Sequence, residues 1–265
     1  GGGVAGLSAA HELIERKFEV EIFEKQEFIP GGKARSVPVP NSSINGSLPL
    51  PGEHGFRFFP GFYKHITDTM SRIPYKNASV LENLAETYSV MITRYGKPPI
   101  IALNHFPTTQ KDLKVAIKGV FDKNTGLDID DIEFFVDRIW QLMTSSYERR
   151  KEVYEKIGWW EFLDADNPNR SDAYRELFVL GLTRSLVAAK AETVSTKTVG
   201  DIFLQLIFDT LNPFDGVATD RLLNGPTNDV WIDPWLDYLK SKGTIYHFNS
   251  SVKKFNVAKD NIQSL

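Results

Sequence analysis

The sequence predicts an α/β fold organised around a phosphate-binding turn, and three observations predict it. Gly1, Gly3 and Gly6 occupy the glycine positions of a G-x-G-x-x-G pattern, with a helical stripe directly after them. A run alternating as a strand does, Phe18 to Phe23, follows that helix and closes on Glu24, about 20 residues beyond the glycines. The middle of the chain then changes to apolar stripes of helical period before strand-like patterning returns near the end. Turn, helix, strand and a late return describe a Rossmann-like domain with an α+β domain inserted into it.

Taken in order, each glycine has its own task. The first permits the tight turn, the second lets backbone N–H groups approach a pyrophosphate, and the third lets helix and strand pack closely. Val4 and Ala5 open the helix, whose N-terminus faces the phosphates. Val4, Leu7, Ala10 and Ile14 fall on one face, and Arg16-Lys17 suits the negative pole. Glu24 stands where an acid would hold a ribose hydroxyl, which favours an adenosine without a 2′-phosphate. An apolar strand should precede such a turn, yet the chain starts on the first glycine, so a piece of a longer fold is expected.

A second glycine loop separates flavin from nicotinamide. Glu24-Lys25 and Gly31-Gly32-Lys33-Ala34-Arg35-Ser36 resemble the E-x-(n)-G-G-[RK]-x-x-S run of the flavin-containing amine oxidase and phytoene desaturase superfamily. The resemblance implies FAD as cofactor, with its diphosphate on this loop. Paired glycines expose amides and Lys33 and Arg35 add positive charge, which is sound chemistry for a diphosphate on its own terms. A plain surface loop with two basic residues is the competing reading. Gly1, Gly3, Val4, Ala5, Gly6, Glu24, Lys25, Gly32, Lys33, Ala34 and Arg35 are therefore the candidate contacts to the adenosine and diphosphate.

Proline, serine and asparagine dominate from Val37 to Pro51, an exposed connection. Gly52 to Tyr63 is dense in glycine and aromatics and is similar to the desaturase-like branch, where a Gly/His-rich strand runs beside the isoalloxazine ring. That resemblance makes His54, Gly55, Phe56 and Arg57 candidate flavin contacts: Gly55 would let a flat ring lie on backbone, and Arg57 would offset charge on reduced flavin. The same aromatics would serve equally as core.

A helix is expected through Ile66 and Met70 to about Ile73, stopped by Pro74. Tyr88–Arg94 and Ile100–Phe106 read as strands about a Gly96–Pro99 turn. Three helical stripes follow: Ile132, Phe135, Val136, Ile139 and Met143; then Tyr174, Leu177, Phe178, Leu182 and Ser185; then Val199, Ile202, Phe203, Leu206 and Ile207, capped by Ser195 or Thr196 and ended near Pro213. Such stripes serve as core more often than as cofactor contacts. Arg221 to Pro226, a helix over Trp231–Lys242 with Asp233-Pro234 at its start or at a kink, the stop at Gly243 and a strand over Thr244–Phe248 match in order a block of the desaturase family. In that family the residue at Val252 packs on the adenine. The expected division is residues 1–75 for the first part of the FAD-binding domain, 76–218 for a mainly helical substrate-binding domain, and 219–265 for the return.

Composition narrows the function. With 42% hydrophobic and 25% charged residues the chain buries a substantial core, and a net charge of −3 without a basic cluster gives no footprint for nucleic acid. The absence of cysteine removes disulfides and thiol catalysis, and the scattered histidines offer no metal-ligand spacing. Cytoplasm is the default compartment, no stretch is long and apolar enough to span a membrane, and peripheral membrane contact stays open. The leading expectation is an FAD-dependent oxidoreductase that passes a hydride from an apolar, isoprenoid-like substrate to flavin, with no catalytic side chain named. An amine or amino-acid oxidase is the second reading, and a non-catalytic flavin- or lipid-binding protein the third. Arg184, between Leu182 and Leu186, is the residue that would distinguish a carboxylate-bearing ligand if it faced the cavity, and surface or domain-interface pairing is the expectation for it.

Overall fold

The computed structural model describes residues 1–103, 125–211, 220–258 and 261–264. The chain separates into two units, Gly1–Glu86 with Asp220–Leu265, and Thr87–Thr219.

Helix α1 (Val4–Glu15) buries Leu7, Ala10 and His11, with Val4 and Ile14 packed at the margin. It ends in a left-handed turn at Lys17 (φ 66°), where the Phe18 N–H donates to Leu13 O. That turn consumes the start of the expected strand. Phe18 is 57% exposed, and β1 is confined to Glu21–Phe23. Strands β2 (Ser36–Pro38) and β3 (Pro51–Glu53) pair antiparallel and close the ends of the proline-rich connection. Then come β4 (Phe58–Phe59), α2 (His65–Ser71), the small pair β5 (Pro74–Tyr75) and β6 (Ala78–Ser79), and β7 (Leu84–Glu86). This unit runs to Glu86 rather than to residue 75, because β7 pairs with the returning chain.

In the second unit, β8 (Ser89–Arg94) and β9 (Lys97–Leu103) form a hairpin that turns at Gly96 (φ 67°). Pro98 and Pro99, expected in the turn, lie in β9, since a two-stranded ladder leaves each strand an edge where a missing N–H is tolerated. The expected strand end at 104–106 lies outside the described residues. Helix α3 (Ile129–Met143) is capped by Asp128, whose carboxylate accepts from Asp131 N at 2.8 Å. Phe135, Ile139 and Leu142 are buried, whereas Val136, expected on that stripe, is 56% exposed one position off the face. The second stripe includes a π-helical turn, Arg175–Gly181, that leads into α4 (Leu182–Leu186). A Cβ at Gly181 would lie 2.8 Å from Glu176 O, so glycine permits the widened turn. Ser195 caps α5 (Thr196–Leu211), accepting from Thr198 N at 3.1 Å. Its expected end near Pro213 lies outside the described residues. Phe135 stacks on Phe178 with ring centroids 4.0 Å apart, beside Trp159, Phe162, Tyr174 and Leu204, so these faces are filled as core.

The return begins with β10 (Arg221–Leu223), antiparallel between β4 and β7. A π turn, Asn228–Ile232, continues into α6 (Asp233–Ser241) without a break, as Ile232 is already helical (φ −71°, ψ −46°). Pro234 thus sits at a π-to-α junction, the kink alternative to an N-cap at Asp233. Gly243 (φ 102°) stops α6, and β11 (Ile245–His247) pairs parallel with β1. A terminal hairpin, β12 (Asn256–Ala258) with β13 (Asn261–Ser264), has no counterpart in the sequence expectations. Leu7, Ala10, Ile22, Met70, Ile73, Ile232, Trp235 and Leu239 form the core under α1 and β1.

Candidate functional site

The two glycine loops meet. Gly3 and Gly31 form a parallel bridge, and Gly31 N donates to Gly2 O at 2.9 Å. A Cβ on Gly3 would lie 3.6 Å from Gly32 Cα, and one on Gly32 only 3.1 Å from Gly3 Cα. Gly31 and Gly32 both take left-handed conformations (φ 102° and 58°), which only glycine adopts without strain. Gly6 is needed for closeness, because its Cβ would lie 1.9 Å from Gly1 O. The first turn of α1 therefore opens on a cradle of bare backbone, with the unpaired N–H groups of a helix start behind it.

Glu24 closes one side of this cradle. Its carboxylate is buried and accepts from Gly2 N at 2.5 Å and from Gln26 N at 2.8 Å. Gly1 lies next to it, with a built Cβ 4.0 Å from Oε2. Backbone bonds from Glu24 N to His247 O and from Ser250 N to Glu24 O tie this position to the chain around β11. Among the described residues no side-chain cation pairs with this carboxylate, so a diol hydroxyl is a fitting further donor.

The second loop is held from far along the chain. Asn228, at the start of the π turn, accepts from Ser36 N at 2.8 Å and donates to Asp233 Oδ1 at 3.0 Å and to Pro30 O at 3.4 Å. Its own N–H donates to Ser36 Oγ at 2.9 Å. Arg35, expected to face a diphosphate, donates through Nη1 to Gly32 O at 2.7 Å and so steadies the turn, while Lys33 stands exposed. Asn228 was not singled out in the sequence, and only its place in the N-G-P-T-N run could have marked it.

The remaining candidates divide. Val4 and Ala5 begin α1, the first half-buried and the second exposed, and Lys25 is exposed beside Glu24. Gly55 packs closely on the second loop: its Cβ would lie 2.7 Å from Lys33 O and 3.2 Å from Ala34 Cα. His54 N donates to Arg35 O at 3.0 Å, but the His54 side chain is exposed and Phe56 is 59% exposed. Arg57 donates to Gly225 O at 2.9 Å and lies 3.9 Å from Glu53, so internal partners already take up its charge. Val252 is 38% exposed, two residues beyond the Ser250 link to Glu24.

His11, a residue the apolar stripe conceals, is fully buried beneath this site. Nδ1 accepts from Trp235 Nε1 at 3.0 Å, and Nε2 donates to Glu15 at 3.0 Å. Burial holds its pKa below the ordinary value, partly countered by Glu15. Arg72, the residue that follows α2, pairs with Glu12 at 2.6 Å and with Glu15, which fastens the end of α2 to α1. Bonds from Arg16 and Arg72 hold the Glu12 carboxyl down at about 2.

Residues 1–73 match the family model of the NAD(P)-binding Rossmann-like domain. The nucleotide unit is Rossmann-like. No curated protein matches the chain. Among solved structures, an oxidoreductase from Methanosarcina mazei aligns over 100% of this chain and 56% of its own, with 15% identity and a TM-score of 0.55, a likeness of fold. A putrescine oxidase bound to putrescine aligns over 94% of this chain and 49% of its own, at 12% identity and a TM-score of 0.49. A Pyrococcus furiosus protein aligns over 94% and 50%, at 14% identity and a TM-score of 0.47. The chain thus spans about half the length of the structures it matches. In the Rossmann-like unit the glycine turn and the acid about 20 residues beyond it stand in the order of the dinucleotide-binding fingerprint, with the second glycine loop bonded to the turn.

The second unit has its own cleft of about 390 Å³, between the β8–β9 hairpin and the π turn. Ile92, Leu177 and Leu182 supply its apolar lining, and the ion pair Lys97–Glu176 (3.0 Å) stands at its polar side. Arg184 is exposed, and among the described residues no carboxylate pairs with it, so the expected pairing is not formed there. Among the described residues no group of three or more His, Asp or Glu side chains could hold a metal, and no helix is long and apolar enough to cross a membrane.

Proposed function

We propose that this chain carries the dinucleotide-binding part of an FAD-dependent oxidoreductase of the flavin amine-oxidase type. The observation that carries the proposal is the meeting of the Gly1–Gly6 turn with the Gly31–Gly32 loop beside a buried Glu24. A second glycine loop bonded to the first extends the cradle beyond what a single fingerprint offers, which suits a long diphosphate with a flavin beyond it. When bound, the flavin would supply the hydride-acceptor chemistry. The residues bind and orient it: Gly3 and Gly32 leave room for the diphosphate, Glu24 holds the ribose, and Asn228 keeps the second loop in place. No acid–base pair is required of the protein for such a step.

Within this reading an apolar substrate of the isoprenoid kind, handled as a desaturase handles it, is the finer proposal, supported by Ile92, Leu177 and Leu182 on the apolar side of the mixed cleft in the second unit. The test is optical. Purified full-length protein is expected to be yellow and to bleach when substrate is added without oxygen. A protein that carries flavin but bleaches only with amines points to an amine oxidase, and one that takes up no FAD sinks the flavoenzyme proposal.

A further inference from the structure

In the general fingerprint the residue between the first two glycines is free, but in this chain it is not. Gly2 is buried, and a Cβ placed on it would lie 1.7 Å from the Tyr246 phenol oxygen, 2.5 Å from Cζ and 2.9 Å from Cε2. No side chain fits at such distances unless the ring moves. Tyr246 comes from β11 opposite Ile22, and its ring packs on Phe248 with centroids 4.6 Å apart. Its hydroxyl is buried and has no hydrogen-bond partner among the described residues. Burial, with the Glu24 charge as a lesser cause, pushes the phenol well above its ordinary value, so it stays protonated at neutral pH. An unpaired buried hydroxyl is unfavourable, so the residue's value lies in where its ring stands.

We propose that Tyr246 is a positioning residue for the carboxylate that meets the nucleotide ribose: the phenol end of its side chain props the backbone at Gly2 and so keeps the Gly2 N–H on Glu24 Oε2. The proposal rests on the dinucleotide reading above. Glu24 is oriented by two N–H donors, Gly2 at 2.5 Å and Gln26 at 2.8 Å, and only the second is local to its own strand end. The first depends on the height of the turn, and Tyr246 is the wall under that turn. A short side chain at 246 lets the turn sink and the carboxylate rotate away from the diol.

The experiment is a double-mutant cycle on the full-length protein freed of cofactor, reading dissociation constants for FAD and for ADP, a probe that lacks the flavin. Gly2→Ala is expected to weaken both ligands by about tenfold or more, the effect of a displaced charged hydrogen bond. Tyr246→Leu should weaken both by a few fold, about the coupling seen between contacting residues. The double variant should bind better than Gly2→Ala alone, because the shorter side chain makes room for the new methyl group. Tyr246→Phe keeps the ring but loses the oxygen nearest Gly2, and should lose less affinity than Tyr246→Leu. Single losses that simply multiply in the double variant, or Gly2→Ala binding ADP normally, overturn the role of Tyr246 alone. Wild-type protein that takes up neither probe overturns the dinucleotide reading and this role with it.

Discussion

Asn228→Ala is the substitution that probes the second loop most cleanly, since Asn228 is buried and reaches back 192 residues to Ser36. The change removes the acceptor of Ser36 N (2.8 Å), the donor to Asp233 (3.0 Å) and two weaker contacts of 3.4 Å, to Ser36 Oγ and Pro30 O. Ser36 is itself buried, so its N–H is left without a partner at a cost of about 1–3 kcal/mol. The exposed Asp233 carboxylate regains water and adds little. The small void left by the amide contributes up to about 1 kcal/mol more. We therefore predict a loss of about 1–4 kcal/mol, or roughly 2–16 °C in melting temperature at about 2–4 °C per kcal/mol. Urea unfolding and calorimetry of the full-length protein read it directly, and Ser36→Ala, which keeps the Ser36 N–H on Asn228 but takes the acceptor from the buried Asn228 N–H, should cost a comparable amount of about 1–3 kcal/mol. FAD affinity should fall with the loop. A loss under about 1 kcal/mol for Asn228→Ala would refute the view that this side chain anchors the loop.

Three further outcomes follow from the same geometry. Glu24→Ala should weaken FAD by about 1–3 kcal/mol, and an unchanged titration would remove Glu24 from the ribose site. Because burial lowers the His11 pKa from 6.5, the unfolded chain takes up the proton first. Stability from this group is then complete above pH 6.5 and falls as the pH drops from there toward the folded value. A melting curve against pH should therefore decline below that point in the wild type and run flatter in His11→Gln; equal slopes would count against the buried network. The Glu12 carboxyl, held at about 2, contributes in a window that opens lower, between about 4.5 and 2. Arg184→Ala should leave substrate affinity unchanged if the ligand is a hydrocarbon, and a selective rise in KM would favour a carboxylate-bearing one.

Much of this site is written in local sequence, because glycine loops work through their own backbone. Gly3, Gly6, Gly31 and Gly32 need no distant partner to be read as turns, and Glu24 follows at a fixed helix-plus-strand distance. The contacts that hold the loops together are not local. Asn228 lies on a π turn whose wider spacing escapes a search at 3.6 residues per turn, and its partner Ser36 is far away in the chain. Tyr246 looks like any strand aromatic until Gly2 is seen against it. His11 fills a gap in an apolar stripe and reads as polar, whereas Trp235 and Glu15 satisfy both ring nitrogens and let it be buried. Gly55 was legible as a site of close approach, but the sequence could not say that the neighbour is the Lys33–Ala34 backbone. Strand ends were misjudged where pairing decides them, as at Phe18 and Pro98.

The central claim is that the two glycine loops form one dinucleotide cradle, and FAD titration of cofactor-free full-length protein tests it most directly when Gly3→Val is run beside the wild type and the surface control Lys151→Ala. A Cβ at Gly3 lies 3.6 Å from Gly32 Cα, so valine's added methyl groups crowd the seam where the diphosphate would pass. The account predicts saturable binding of one FAD per chain by wild type and control, and loss of binding in Gly3→Val with the fold intact by circular dichroism. Equal FAD uptake by all three proteins, or none by the wild type, would contradict it.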